Sequence, residues 1–272
     1  MQRWMNQGTT MRFNDIEKDI RCCGKYGFDA IELKYNLVCH HELEWIKELL
    51  DRNNVCAGSI GGLQLPVLRE KEIERLMEEK LYSLCHCADI LKAEYVVAIP
   101  PRSKSNANQW DIEEDMVRIL ERYSEIADGY GVKIAVEVTG FSDSLLNTVS
   151  QGIDVINQVK KKNLGLIYDF YHVMGMADLG KAVMKARAEN IFIVHVNDGL
   201  KCTVGEYDDF NRLWPGDGDI DIAGQIGMLK AVGYRGPFSM EVYQPQMWPY
   251  AIHKCYHMAQ YKMNIIEQFV SN

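Results

Sequence analysis

The sequence has no hydrophobic run that could cross a bilayer, since none approaches the roughly 18 consecutive apolar residues that a membrane-spanning helix needs. Its first residues, MQRWMNQGTT, lack the apolar core of a secretory signal peptide. Eight cysteines are present without any C-x-x-C pair, which argues against a zinc ribbon or a thioredoxin-type redox pair. We therefore expect a cytoplasmic protein with reduced thiols and no membrane partner.

The sequence also lacks an excess of basic residues. It has 30 Lys and Arg against 38 Asp and Glu, a formal net charge of −8. This balance argues against a nucleic-acid partner, because nucleic-acid-binding proteins carry a basic face. No segment has the Pro, Gly or Ser content of a linker, and a composition of 47% hydrophobic and 25% charged residues is typical of a globular protein. One domain over residues 1–272 is predicted.

Short β-rich runs alternate with amphipathic helical stretches along the chain. The predicted strands are Arg3–Asn6, Asp29–Tyr35, Val55–Gly61, Tyr95–Pro100, Lys133–Thr139, Leu164–Phe170, Ile191–Asn197 and Pro237–Tyr243. The predicted helices include His41–Arg52, a long one ending near Leu91, Ile112–Tyr130, Thr148–Lys161, Leu179–Ala188, Ile222–Val232 and Tyr250–Phe269. This alternation predicts a (β/α)8 TIM barrel of the α/β class, with a doubly wound sheet as the alternative.

Four consecutive predicted strands each carry one metal-capable residue among apolar neighbours: Glu137, Asp169, His195 and Glu241. Taken singly, a buried Glu could pair with a Lys or Arg, and a strand His could be an ordinary core residue. Side chains at the C-terminal strand ends of a barrel converge on one site, where three carboxylates repel one another unless a cation neutralises them. The set therefore predicts a divalent metal, Mn²⁺ in the first place, with Fe²⁺, Co²⁺, Mg²⁺ and Zn²⁺ as alternatives.

Several segments resemble the xylose-isomerase-like barrels of the sugar isomerase/epimerase superfamily, and within it the bacterial inosose isomerases. They include CGKYGFDAIELK, YVVAIP, IADGYGVKIAVEVTG, NLGLIYDFYH, IFIVHVND and RLWPGDGDIDI, and the resemblance runs nearly end to end. It implies a xylose-isomerase-like TIM barrel in which Glu137, Asp169, His195 and Glu241 bind the metal. It also implies substrate contacts from His172, Arg212, Lys201 and Trp214, the last as part of a lid.

Plainer interpretations of these contacts remain open. His172 could be a surface residue at a helix start, Arg212 a solvated loop residue, and Trp214 a packing residue in a turn. The sequence also departs from the resemblance at the pocket rim: Lys201 stands where the epimerases have an Arg, and Lys34 where the inosose isomerases have one. The His that those isomerases carry just after Gly140 is missing as well.

The resemblance implies an isomerase that moves a carbonyl between adjacent carbons of a keto-inositol or ketose, with Glu137 or Glu241 as the base. One alternative is the catalytic chain of a metal-dependent 3-keto-C-glycoside deglycosidase, with a small partner subunit. A ketose 3-epimerase is disfavoured by Lys201, and an abasic-site endonuclease by the net charge of −8 and only seven histidines. A metal-stabilised sugar-binding domain without catalysis is a further alternative function. A homo-oligomer is an open possibility for the assembly.

Overall fold

The computed structural model describes residues 1–13, 15–66, 70–102, 109–176, 179–201, 208–244 and 250–271. Its strands are β1 (Arg3–Asn6), β2 (Ala30–Lys34), β3 (Cys56–Gln64), β4 (Tyr95–Ile99), β5 (Lys133–Glu137), β6 (Leu164–Asp169), β7 (Ile191–Val196), β8 (Asp198–Gly199), β9 (Arg212–Leu213) and β10 (Phe238–Met240). Eight of them close into a parallel barrel in the order β1-β10-β7-β6-β5-β4-β3-β2. The predicted TIM barrel is confirmed, and β8 and β9 form a separate antiparallel ribbon.

Helices follow most of the barrel strands. They are α1 (Ile16–Lys25), α2 (Tyr35–Val38), α3 (Leu43–Arg52), α4 (Lys71–Leu91), α5 (Gln109–Asp128), α6 (Val149–Val159), α7 (Phe170–Val173), α8 (Leu179–Lys185), α9 (Ile222–Ala231) and α10 (Ile252–Ser271). Short 3₁₀ helices lie at Gln7–Phe13, Ala188–Asn190 and Asp209–Asn211. Within the described ranges, no helix is both long and apolar enough to cross a membrane.

The observed elements differ from the predicted ones mainly at their ends. The predicted helix Leu179–Ala188 ends at Lys185, and a 3₁₀ turn precedes β7. The predicted last strand is too long, because both neighbours of β10 end their pairing beside Met240. Glu241 therefore lies just beyond the ladder, at the rim of the barrel.

Two apolar clusters stabilise the fold. The larger one combines outward-facing strand residues with the inner faces of the helices. The smaller one fills the lower part of the barrel with Trp4, Ala30, Tyr95, Val97, Ala135, Ile167, Phe192 and Ile193. Successive side chains of a strand alternate between its two faces, so residues two positions further along face the same interior at a higher level. Glu137 lies two positions after Ala135, and Asp169 two positions after Ile167. Both carboxylates therefore face the barrel interior above the apolar cluster.

Candidate metal centre

The four residues predicted from the strand ends meet at the C-terminal end of the barrel. Glu137 and Asp169 are the last residues of β5 and β6, His195 lies in β7, and Glu241 follows β10. All four are buried, and one ligand atom from each lies within 4.8 Å of the others. Two ligands on opposite sides of one ion at about 2.1 Å are roughly 4.2 Å apart. The cluster thus has the dimensions of a single metal site.

The imidazole of His195 lies among the carboxylates. Its Nδ1 is 2.9 Å from Glu137 Oε1, 2.9 Å from Glu241 Oε2 and 3.6 Å from Asp169 Oδ2. Burial lowers the pKa of His195, but the surrounding carboxylates, Glu241 first, outweigh burial and hold the pKa well above its ordinary value. Without a metal this nitrogen is the natural place for a proton.

Asp169 is held by two donors from neighbouring elements. Arg212 Nη1 donates to its Oδ2 at 2.5 Å, and Asn197 Nδ2 donates to the same oxygen at 3.0 Å. Burial opposes the charge of Asp169, but Arg212 and the nearby histidines hold its pKa well below the usual range. Its other oxygen accepts the backbone N–H of His172 at 3.0 Å and so caps α7.

Arg212 and His172 are both buried at the site, with 1% and 2% of their surfaces exposed. Arg212 Nη2 lies 3.0 Å from His172 Nε2. The interpretations of Arg212 as a solvated loop residue and of His172 as a surface residue are therefore wrong. Arg212 is buried for an electrostatic reason, because its guanidinium lies against Asp169 and within 3.5 Å of the Glu241 carboxylate.

Glu241 is fixed by a second chain of contacts on the opposite side. Tyr243 donates its hydroxyl to Glu241 Oε1 at 2.9 Å, and Lys34 Nζ donates to the Tyr243 oxygen at 3.0 Å. Burial raises the pKa of Glu241, but His195 and Arg212 outweigh it and lower the pKa to about 2. Lys34 and Tyr243 were not among the predicted site residues.

Glu32 is a further carboxylate that the sequence interpretation missed. It lies in β2, is 2% exposed and approaches His195 Nε2 to 3.1 Å. The alternation of strand side chains could have indicated that Glu32 faces the barrel interior, since it follows the inward-facing Ala30 by two positions.

The W-P-G-D-G-D-I segment is arranged around one buried carboxylate, that of Asp198. Asp198 accepts the backbone N–H groups of Gly199, Gly216, Gly218 and Ile220 at 2.8–3.0 Å. A Cβ on Gly218 would lie 2.4 Å from Asp198 Oδ1. The segment is thereby fastened beside the β8–β9 ribbon, and Arg212 begins β9 over the site.

Two of the predicted substrate contacts, Lys201 and Trp214, are not among the described residues that line the two cavities at the cluster. Lys201 is exposed, and its backbone N–H donates to Asp219 Oδ2 at 2.9 Å. Trp214 is 3% exposed and belongs to the large apolar cluster. Its carbonyl closes a turn by accepting the N–H of Asp217. The structure supports turn packing for Trp214 rather than a lid.

Two adjoining cavities lead to the cluster. The inner one, about 200 Å³, exposes Glu137, His195 and Glu241. The outer one, about 600 Å³, is lined in part by Phe141, Phe210 and Tyr243. The volume of the inner cavity matches that of one sugar-sized ring.

The charges of the site favour a divalent cation. The buried carboxylates of Glu32, Glu137, Asp169 and Glu241 carry four negative charges. The neighbouring Arg212 and Lys34 supply two positive charges, and Arg212 also pairs with Asp209, so at least two positive charges are missing if His195 is neutral. Glu241 Oε2, which faces this cluster, also lacks a hydrogen-bond partner in the described structure. One imidazole and three carboxylates are a suitable donor set for a divalent metal.

A closed parallel barrel with a polar cluster at the C-terminal strand ends is the arrangement of TIM-barrel enzymes. The chain belongs to the family of xylose isomerase-like TIM barrels, whose sequence profile matches residues 20–257. It is 29% identical to an inosose isomerase of Bacillus licheniformis over 253 residues, 91% of each chain. It is 25% identical to an L-ribulose 3-epimerase of a Methylomonas species over 85% of this chain and 81% of that one. A crystal structure of IOLI protein with a zinc atom covers the whole of both chains, with a TM-score of 0.95 and 25% identity.

Proposed function

We propose that this protein is a metal-dependent isomerase that moves a carbonyl between adjacent carbons of a keto-inositol. The observation that carries the proposal is the buried cluster of Glu137, Asp169, His195 and Glu241 at the floor of a ring-sized cavity. The likeness to inosose isomerases over 91% of the chain supports keto-inositols as the substrate class.

The reaction needs a base at the carbon next to the carbonyl. One carboxylate, Glu137 or Glu241, takes the proton from that carbon and returns it to the former carbonyl carbon, while the hydroxyl proton passes to the other oxygen. General-base catalysis of this kind contributes about 10²–10⁴-fold. Tyr243 holds one oxygen of Glu241, whereas Glu137 is the more exposed of the two, 6% against 2%.

Arg212 and His172 would orient the substrate. Both side chains are buried and both line the inner cavity. Hydrogen bonds to ring hydroxyls in such a cavity fix which face of the ring meets the base. Lys34, which also lines the inner cavity, adds a second cation near the reacting oxygens.

We propose Mn²⁺ as the metal, held by Glu137, Asp169, His195 and Glu241. A carboxylate-rich set with one imidazole suits Mn²⁺. Zn²⁺ is the second ion to test, because the similar IOLI structure has a zinc atom. When bound, the divalent ion supplies positive charge that stabilises the enediolate.

The test is a product analysis in D₂O. Mn²⁺-loaded protein is incubated with 2-keto-myo-inositol, the metal is removed with a chelator, and proton and carbon NMR spectra are recorded. We expect a keto-inositol with its carbonyl moved by one carbon, with deuterium at the former carbonyl carbon in those molecules for which the base exchanged its proton with D₂O before returning it. Deuteration without a new isomer would mean that the protein abstracts the proton but that its substrate is another compound. No change in the spectra would contradict the proposed isomerase activity.

A second candidate is cleavage of a 3-keto-C-glycoside by the same proton abstraction. The outer cavity favours it, because about 600 Å³ next to Phe141, Phe210 and Tyr243 exceeds the needs of a free ring. Incubation with an aryl 3-keto-C-glycoside tests this candidate by the absorbance of the released aromatic product. If the protein isomerises keto-inositols but releases no aromatic product, the second candidate is wrong.

A further inference from the structure

The carboxylate of Glu32 faces the side of the His195 ring that points away from the candidate metal position. Its Oε1 is 3.1 Å from Nε2 but lies outside the direction of the N–H bond, so Nε2 has no hydrogen-bond partner among the described residues. The Nδ1 on the opposite side of the ring faces Glu137 and Glu241, each at 2.9 Å. The two ring nitrogens therefore meet different surroundings.

A neutral imidazole has one N–H and one lone pair. If Nδ1 is a metal ligand, its lone pair must point at the cation and the proton must be on Nε2. Glu32 Oε1 is the charged acceptor nearest to that proton in the described structure. Metal-binding histidines commonly donate their second N–H to a carboxylate, which fixes the tautomer and the ring orientation.

Glu32 is itself rigidly held by donors from three other strands. Ser59 in β3 donates to its Oε2 at 2.8 Å, Asn6 at the end of β1 donates to Oε1 at 3.2 Å, and Ser239 in β10 also donates to Oε1. Asn6 and Ser59 are the strand-register partners of Glu32, and Ser239 is the register partner of His195. The barrel hydrogen bonds thus set the position of the carboxylate relative to the ring.

We propose that Glu32 is a positioning residue of the metal centre. It accepts the Nε2 proton of His195, selects the tautomer that leaves Nδ1 free for the cation, and does not ligate the metal itself. The inference rests on the proposed metal centre but is independent of the substrate.

The experiment compares Glu32→Gln with Asp19→Asn, a matched control. Asp19 is also a fully buried carboxylate, but it is bonded by Gln7, Thr10 and Tyr256 away from the cluster. Mn²⁺ affinity is measured by competition with a chelator. We expect Glu32→Gln to bind Mn²⁺ about 10–100-fold more weakly, the usual effect of losing such a partner, and Asp19→Asn to bind as the wild type does.

A spectroscopic reading separates tautomer control from a general loss of stability. In Zn²⁺-loaded wild-type protein labelled with ¹⁵N-histidine, we expect a protonated His195 Nε2 with a strongly downfield proton. That proton should move upfield in Glu32→Gln and return partly in Glu32→Asp. If Glu32→Gln does not fold, the wild-type spectrum alone decides the tautomer.

Three results would overturn the inference. The first is a folded Glu32→Gln variant with wild-type Mn²⁺ affinity and an unchanged Nε2 signal. The second is a wild-type spectrum with the proton on Nδ1. The third is wild-type protein that binds no divalent ion, which would refute the metal centre together with the role of Glu32.

Discussion

The lower and upper levels of the barrel interior are built from the same strands but from opposite kinds of residues. The inward pairs from bottom to top are Trp4 and Asn6, Ala30 and Glu32, Ala135 and Glu137, Ile167 and Asp169, and Ile193 and His195. In each pair an apolar residue is followed two positions later by a polar one. A step of about 7 Å along a strand therefore separates a packed core from a chemical site.

The difference shows where stability and function are located. The lower level removes apolar surface from water, as any core does. The upper level gathers buried like charges, which oppose folding unless cations compensate them. Arg212 and His195 lower the pKa of Glu241 to about 2 against the effect of burial. Substitutions in the two levels should thus affect different measurements.

The largest effect is expected from the two glutamates of the upper level that belong to the metal cluster, Glu137 and Glu241. Glu137→Gln and Glu241→Gln each remove a metal ligand, and one of them removes the base. We expect turnover to fall by about 10⁴-fold in the variant that loses the base, the upper end for general-base catalysis, with the fold retained. Steady-state kinetics with measured metal content distinguishes loss of the base from loss of the ion. Near-normal turnover in both variants with metal bound would contradict these roles.

Trp4→Ala tests the lower level. Trp4 is 5% exposed and lies against Tyr95, with ring centroids 6.1 Å apart. Truncation of a buried aromatic residue costs about 3–5 kcal/mol, and urea unfolding should show a loss near 4 kcal/mol. The Mn²⁺ affinity of the folded fraction should stay within a few-fold of the wild type. A large change in affinity with little change in stability would mean that the two levels are not separable.

Asp19 is a buried carboxylate that forms no ion pair with a Lys or Arg of the described residues. Burial raises its pKa to about 7 despite the hydrogen bonds from Thr10, Gln7 and Tyr256. Below about pH 4 Asp19 is protonated in both the folded and the unfolded state and contributes nothing. Between about pH 4 and 7 the unfolded chain loses this proton while the folded protein keeps it, so stability falls as the pH rises.

Asp19→Asn reproduces the protonated side chain and should remove this loss. Relative to the wild type, the variant should gain roughly 4 kcal/mol between pH 4 and pH 8, with little further change above. Urea unfolding of both proteins at these two pH values measures the difference. A stability difference that does not change with pH would show that Asp19 is ionised throughout.

The smallest effect is expected from Tyr243→Phe. The change removes the hydroxyl that donates to Glu241 Oε1 and accepts from Lys34 Nζ. Loss of one hydrogen bond to a charged group corresponds to roughly 1–2 kcal/mol, so about a tenfold lower kcat is expected with the fold intact. Unchanged kcat and KM would mean that Glu241 needs no support from this side.

The barrel and the four clustered residues could be predicted because both follow from short-range patterns. Strand and helix periodicity gives the alternation of elements, and the position of a residue at a strand end gives its level in the barrel. Strand ends were less predictable: β10 ends at Met240 because its neighbours stop pairing there.

Long-range contacts explain what the sequence could not supply. The position of Arg212 depends on a segment fastened to Asp198 by three backbone N–H groups, those of Gly216, Gly218 and Ile220, an arrangement that no local pattern reports. Glu32 follows the same two-residue rule as the others, but its contact with His195 spans the barrel. Trp214 illustrates the reverse case, since its motif suggested a lid while its side chain packs in the core.

The most direct test of the metal centre is an anomalous difference map from a crystal of this protein soaked in Mn²⁺. We predict one strong peak in bonding contact with Glu137, Asp169, His195 and Glu241, and with no oxygen of Glu32. A strong peak only elsewhere in the protein, or no peak among these four residues, would contradict the assignment of the upper level of the barrel as a metal site.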